Sequence, residues 1–298
     1  VSEAEVMVAG GIQDVMVSNQ VTDPAKVNRL ASLASKARIL VCVDDSHNVD
    51  TLSDAAIRHG VTLECLVEID SGAGRCGVAP GPKAVELALM IDQSPGLRFA
   101  GVQSYQGSAQ HIRDYAQRGE AIASATELTR SCLNLLRGAG LDCGIVAGAG
   151  TGTYYFEAAS GVYNEMQCGS YIFLDADYQR VLDADSRPIS EFRNSLFVLT
   201  SIMSTARPGM AVCDAGLKVM SAESGLPMIH GRDDIEYRQI SDEHGVIDDP
   251  QDSLRLNQRL KLIPGHCDPT CNLHDWYVGI RGDRVECLWP VSARGKAY

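Results

Sequence analysis

Along the first 175 residues, short and nearly unbroken apolar runs alternate with stretches whose apolar residues recur every three or four positions. The runs lie at 14–19 (DVMVSN), 38–45 (RILVCVDD), 63–70 (LECLVEID), 99–105 (FAGVQSY), 143–150 (CGIVAGAG) and 166–173 (MQCGSYIF). Strands covered on both faces read this way, because neither face can afford alternating polar residues. Between them lie helical patterns with their own punctuation. Asp23 stands before Pro24, a cap followed by a first-turn proline. HNVDTLSDAAIRHG ends on Gly60, at the place where a helix turns left-handed. The connection 151–165 is too short and irregular for a full helix.

Alternation of this kind predicts a parallel α/β sheet, either a barrel or a doubly wound layer. Six strands with inserted helices fit a (β/α)8 TIM-type barrel that is two units short. The chain opens inside a helical pattern (VSEAEVMVAGG) without a methionine. That leads us to expect roughly 70–90 residues upstream, at about 30 residues per barrel unit. After residue 175 the texture changes to apolar runs separated by turns: LFVLTSIMSTA, GMAVCDAGL, RLKLIPGH and WYVGIRGDRVECLWPVSA. Hairpin-like spacing predicts a second, mostly β domain over 176–298, after a barrel domain over 1–175. SDEHGVIDDPQDS reads as a polar loop.

With 298 residues, 45% of them hydrophobic, the chain can bury a large core. Its net charge is -12 and its 26 basic residues form no cluster, which argues against nucleic acid as a partner. Apolar runs are too short for a membrane span, and no signal-peptide pattern opens the chain. Ten cysteines without a regular framework point to a reducing cytoplasm rather than a disulfide scaffold.

Candidate chemistry collects at predicted strand ends, where barrels carry their active sites. The glycine-rich turn GAGTGT (148–153) follows a strand and lacks both a Walker lysine and a GxGxxG helix. It is either a structural turn or a phosphate-binding nest of backbone N–H groups. Arg75, in EIDSGAGRCGV, either holds an anion or pairs with a nearby carboxylate. Tyr105 and His111, in QSYQGSAQH, lie past the next strand, and His244 sits beside two carboxylates in DEHG. PGHCDPTCNLHD (264–275) holds six residues able to bind metal. If LKLIP is a strand ended by Pro269, His266 and Asp268 project to one side of extended backbone while Cys267 points away. An imidazole and a carboxylate suit Mn²⁺, Mg²⁺ or Zn²⁺. A zinc knuckle on Cys267 and Cys271 lacks its second cysteine pair.

GHCDPTCNLHD, GAGTGTYYFEAASGVYNEMQCGSYIFLDADY, EIDSGAGRCGV, DAGLK and SDEHG together resemble the D-threonine aldolase and 3-hydroxy-D-aspartate aldolase family, over essentially the whole chain. The resemblance implies pyridoxal 5'-phosphate (PLP) enzymes of the alanine-racemase fold type, homodimeric and activated by a divalent metal (Mg²⁺ or Mn²⁺, with Zn²⁺ or Co²⁺ as alternatives). They cleave β-hydroxy-D-amino acids to glycine and an aldehyde. By motif match, Gly150, Thr151, Gly152 and Thr153 with Ser170 and Tyr171 would grip the cofactor phosphate. Arg75 and Tyr105 would line cofactor and substrate, His111 would be the base, and His266 and Asp268 the metal ligands. The family's Schiff-base lysine, in a KxHK segment, has no counterpart here, and Lys218 is rejected because it falls in the presumed β domain. Related dehydratases of D-serine and 3-hydroxyaspartate carry His-x-Cys where this chain has His266-x-Asp268, which favours the aldolase. A non-catalytic PLP-binding protein would need neither the β domain nor that pair.

Overall fold

The computed structural model describes residues 1–298. Contacts divide them into two units, Val1–Cys168 with Lys296–Tyr298, and Gly169–Gly295. In the first unit six parallel strands lie in chain order: β1 (Asp14–Val17), β2 (Arg38–Val43), β3 (Leu63–Glu68), β4 (Leu97–Ser104), β5 (Ile145–Gly148) and β6 (Glu165–Met166). Helices α1 (Ser2–Ala9), α2 (Pro24–Leu33), α3 (Ser46–His59), α4 (Pro82–Gln93), α5 (Tyr115–Gly138) and α6 (Tyr154–Ala159) alternate with them. The cap signals act as the sequence predicts. Asp23 accepts hydrogen bonds from the Ala25 and Lys26 amides, both at 3.0 Å, and Gly60 closes α3 at φ +64°. The sixth predicted strand contracts to Glu165–Met166, and Ser170–Ile172 forms a 3₁₀ turn instead.

The sheet is an open half-barrel with two buried faces. Val15, Ile39, Val41, Cys65, Val67 and Val102 join the helices in the larger core. Leu40, Cys42, Leu66, Ala100 and Ala147 fill the inner face, with Met16 and Ile145 against them. This is why the strands read as unbroken apolar runs. At the amino ends, Glu64 binds Arg38 (2.7 Å) and Arg98. Burial opposes the charge of Glu64, but the Arg38 bonds dominate and lower its pKa.

β4 approaches β5 so closely at Gly101 (φ +150°) that a Cβ there would stand 1.8 Å from the Ile145 carbonyl oxygen. Gly101→Ala should therefore destabilise the first unit by at least the roughly 1–3 kcal/mol of an overpacked core. A lowered thermal unfolding midpoint would register it, and an unchanged one would show that the β4–β5 pairing yields without cost.

The second unit is antiparallel. Strands β7 (Val198–Arg207), β8 (Met210–Cys213), β9 (Met228–Ile229), β10 (Glu236–Ile240), β11 (Gly245–Asp248) and β12 (Arg259–Ile263) form a sheet in the order β10-β11-β8-β7-β12-β9. Short helices α7 (Ala176–Gln179) and α8 (Cys267–Cys271) and a hairpin of β13 (Trp276–Arg281) with β14 (Arg284–Pro290) complete it. One prediction fails here: the polar stretch 241–253 contains β11, an inner strand paired with both β10 and β8. Its pairing on two sides supplies what its composition does not. All ten cysteines are free thiols, and no helix is long and apolar enough to cross a membrane.

Candidate active site

The carboxyl ends of β3, β4 and β5 carry the predicted cofactor residues. After β3, the Asp70 carboxylate accepts the Gly72 amide (2.9 Å) and the Gly74 amide (3.0 Å). These backbone bonds, that of Gly74 foremost, hold its pKa below the usual range. The fixed turn presents Arg75, whose guanidinium carbon lies 5.7 Å from the centroid of the Tyr105 ring beyond β4. Of the two readings of Arg75, stacking on Tyr105 replaces a close carboxylate partner, and the guanidinium remains exposed. Burial pushes the Tyr105 hydroxyl pKa up, with Arg75 opposing.

The 148–153 turn is held by a residue that the sequence reading missed. Gln110 accepts the Gly152 amide at 3.0 Å and donates to the Thr153 hydroxyl at 2.8 Å. That hydroxyl donates to Glu157 on α6 at 2.8 Å. Burial raises the Glu157 pKa, and the Thr153 bond opposes it. The Gly150 carbonyl accepts the Thr153 and Tyr154 amides, so of the expected nest the 152 amide is taken by Gln110 and those of 153 and 154 by the loop itself. Ala149 is fully buried at φ +66°, a conformation that a non-glycine residue adopts only where its surroundings impose it.

Three buried side-chain atoms at neighbouring strand ends have no hydrogen-bond partner: Ser71 Oγ, Gln103 Oε1 and Thr151 Oγ1. Native interiors pair nearly all such atoms, so the cluster fits a polar group bound over β3, β4 and β5. Nearby, Gln20 donates to Glu68 (2.7 Å), whose pKa burial raises, and Gln103 donates to Gln167 (2.7 Å). His111 ends the 3₁₀ turn Gly107–His111, directly after Gln110, and is exposed. If Gln110 holds the turn, Gln110→Ala removes its two hydrogen bonds to that turn, about 2 kcal/mol. PLP affinity should fall by roughly 10–30-fold, the equivalent of about 1.4 kcal/mol per tenfold. Cofactor titration followed by absorbance reads this, and unchanged affinity would assign the turn's shape to its backbone alone.

In the second unit, Ser170 and Tyr171 lie on the 3₁₀ turn Ser170–Ile172, with the Tyr171 ring 5.6 Å from Phe192. The 264–275 segment differs from its prediction. His266 is extended (φ -140°, ψ 126°) but caps α8, and Asp268 and Pro269 fall in that helix's first turn. Proline fits there because a first-turn amide lacks a helical acceptor in any case. The extended-strand argument for His266 and Asp268 sharing a side is therefore replaced by a cap residue followed by a first-turn residue. His266 Nδ1 meets the Glu223 carboxylate, with the Ser224 hydroxyl at 3.5 Å. Burial pushes the Glu223 pKa up, but bonds from Ser221, His266 and Ser224 bring it to about 2.

The other residues of this segment have partners of their own or are buried. The buried Cys267 thiol is pushed up to about 12, and burial also raises Cys271. His274 Nε2 reaches the Val219 carbonyl oxygen at 2.7 Å, and Asp275 pairs with Arg294 at 3.1 Å. No group of three or more His, Cys, Asp or Glu is placed to hold a metal ion. His244 is exposed in the turn before β11, and Lys218 is an exposed partner of Glu243.

Comparison with known proteins agrees with this architecture. Residues 1–177 match the family model of the alanine racemase N-terminal domain, and residues 195–280 that of a putative serine dehydratase domain. The chain is 52% identical over 301 residues to a 3-hydroxy-D-aspartate aldolase of Paracoccus denitrificans (strain Pd 1222), covering all of this chain and 78% of that protein. It is 45% identical over 297 residues to a D-threonine aldolase of Arthrobacter sp, covering 99% and 78% respectively. The crystal structure of D-threonine aldolase from Filomicrobium marinum superposes with a TM-score of 0.96 at 44% identity, covering 100% of this chain and 81% of that one. The fold is thus that of the alanine-racemase class. Within that class, the chain belongs to the D-threonine aldolase and 3-hydroxy-D-aspartate aldolase family.

Proposed function

We propose that this protein is a PLP- and divalent-metal-dependent aldehyde-lyase, cytoplasmic and homodimeric, that cleaves β-hydroxy-D-amino acids to glycine and an aldehyde. The substrates are 3-hydroxy-D-aspartate, giving glyoxylate, and D-threonine, giving acetaldehyde. The observation that carries the reading is identity of 52% along the whole chain to an aldolase. The buried, unpartnered Ser71, Gln103 and Thr151 atoms support a bound polar cofactor.

The turn of Gly150, Thr151, Gly152 and Thr153, through the unpartnered Thr151 hydroxyl rather than the engaged 152 and 153 amides, would hold the phosphate with Ser170 and Tyr171, and Arg75 and Tyr105 the ring and the substrate. When bound, PLP supplies a sink for the electron pair left at Cα. His266 and Asp268 would hold the cation, an imidazole and a carboxylate suiting an ion that keeps several waters; when bound it supplies Lewis acidity. His111 takes the proton of the β-hydroxyl. The freed oxygen electron pair forms the aldehyde carbonyl as the Cα–Cβ bond breaks.

The second reading, a dehydratase that expels the β-hydroxyl and releases ammonia, shares the fold and the match at 195–280. Asp268 in place of a cysteine, and aldolase relatives at 52% and 45% identity, favour cleavage. Product analysis with either substrate separates the two: glycine plus aldehyde supports the lyase proposed, and ammonia plus a keto acid refutes it.

A further inference from the structure

We propose that Glu223 is the positioning residue of His266, fixing the imidazole with its proton on Nδ1 so that Nε2 offers its lone pair to a divalent cation. This rests on the reading of His266 as a metal ligand and adds to it a residue that no motif marks.

An ionised carboxylate only accepts hydrogen bonds. Ser221 donates to Glu223 Oε2, and Ser224 donates to Oε1 at 3.0 Å. With both hydroxyls serving as donors, Glu223 meets His266 Nδ1 as an acceptor. The ring proton therefore sits on Nδ1, and in the neutral ring Nε2 is the unprotonated nitrogen. A metal-binding histidine needs this second contact, because the hydrogen bond at one nitrogen decides which tautomer offers the other.

The turn that carries Glu223 is built onto the segment that carries His266. Ser221 and His266 form an antiparallel β-bridge. The Ser221 amide donates to the Thr270 hydroxyl at 3.1 Å, and that hydroxyl donates to the His266 carbonyl at 2.6 Å. At Gly265 a Cβ would stand 1.9 Å from the Gly225 carbonyl oxygen, so the two backbones touch and leave no room for a side chain. These contacts thus hold the backbone that carries Glu223 against the backbone that carries His266.

A role in stability alone explains this poorly. The Glu223 side chain is 52% exposed and that of His266 28%, and exposed ion pairs contribute little to folding. Three donors converging on one half-exposed carboxylate instead define its direction. Mutation of such outer partners typically weakens metal binding by about 10–100-fold.

The test uses the PLP-loaded, full-length protein with Mn²⁺ as probe. Glu223→Ala should raise the Mn²⁺ Kd by about 10–100-fold, with far-UV circular dichroism and PLP content as in the wild type. Glu223→Asp, which retains the carboxylate, should regain part of that loss. In the metal-free wild type, ¹⁵N NMR of the His266 ring should show the proton on Nδ1, and in Glu223→Ala a mixture of tautomers. A Glu223→Ala Kd within about twofold of wild type, while His266→Ala has lost Mn²⁺, would overturn the positioning role alone. Retention of Mn²⁺ by His266→Ala would overturn the ligand assignment and this inference with it.

Discussion

His266→Ala and Asp268→Ala should each lower metal-dependent turnover by on the order of 10³-fold while leaving PLP bound. A Lewis acid contributes several kcal/mol to stabilising a developing alkoxide, and each 1.36 kcal/mol is about a factor of ten in rate. If His266 and Asp268 are the two protein donors, as proposed, losing either leaves a single protein ligand. The proposed phosphate and ring contacts involve other residues, so cofactor absorption should persist in both variants. The two outcomes together are the diagnostic: rate lost, cofactor kept. Full activity of either variant in the presence of a chelator would remove the metal from the account.

His111→Ala is expected to lower kcat by about 10²–10⁴-fold, the usual contribution of a positioned general base. His111 is exposed and follows Gln110, whose amide fixes the glycine-rich turn. The 3₁₀ turn Gly107–His111 that holds the glycine-rich turn thus also carries the proposed base. Gln110→Ala should act mainly on cofactor affinity and His111→Ala mainly on turnover, so measuring both variants for both properties separates the two roles. Near-wild-type turnover in His111→Ala would demote it to a residue that only positions substrate, and the proton would then have another acceptor.

The half-barrel was legible because its strands are buried on both faces: Ile39, Leu40, Val41, Cys42 and Val43 are all buried and all apolar. Local signals with a local cause also read correctly, as at Asp23 and Gly60. What stayed hidden depends on distant partners. Strand β11 exists through pairing with β8 and β10, while its own residues sit among aspartates. Gln110 acts on Gly152, 42 positions away, and Glu223 on His266, 43 positions away, and no spacing rule links either pair. Pro269 misled in the other direction. It forbids a helix interior but not a first turn, and α8 begins just before it. The aldolase motifs were visible as a resemblance, whereas the contacts that orient them required the fold.

The bond that breaks distinguishes an aldolase from a dehydratase. The full-length protein, loaded with PLP and Mn²⁺, should convert 3-hydroxy-D-aspartate to glycine and glyoxylate, and D-threonine to glycine and acetaldehyde. Release of ammonia with a keto acid, and no glycine, would contradict it.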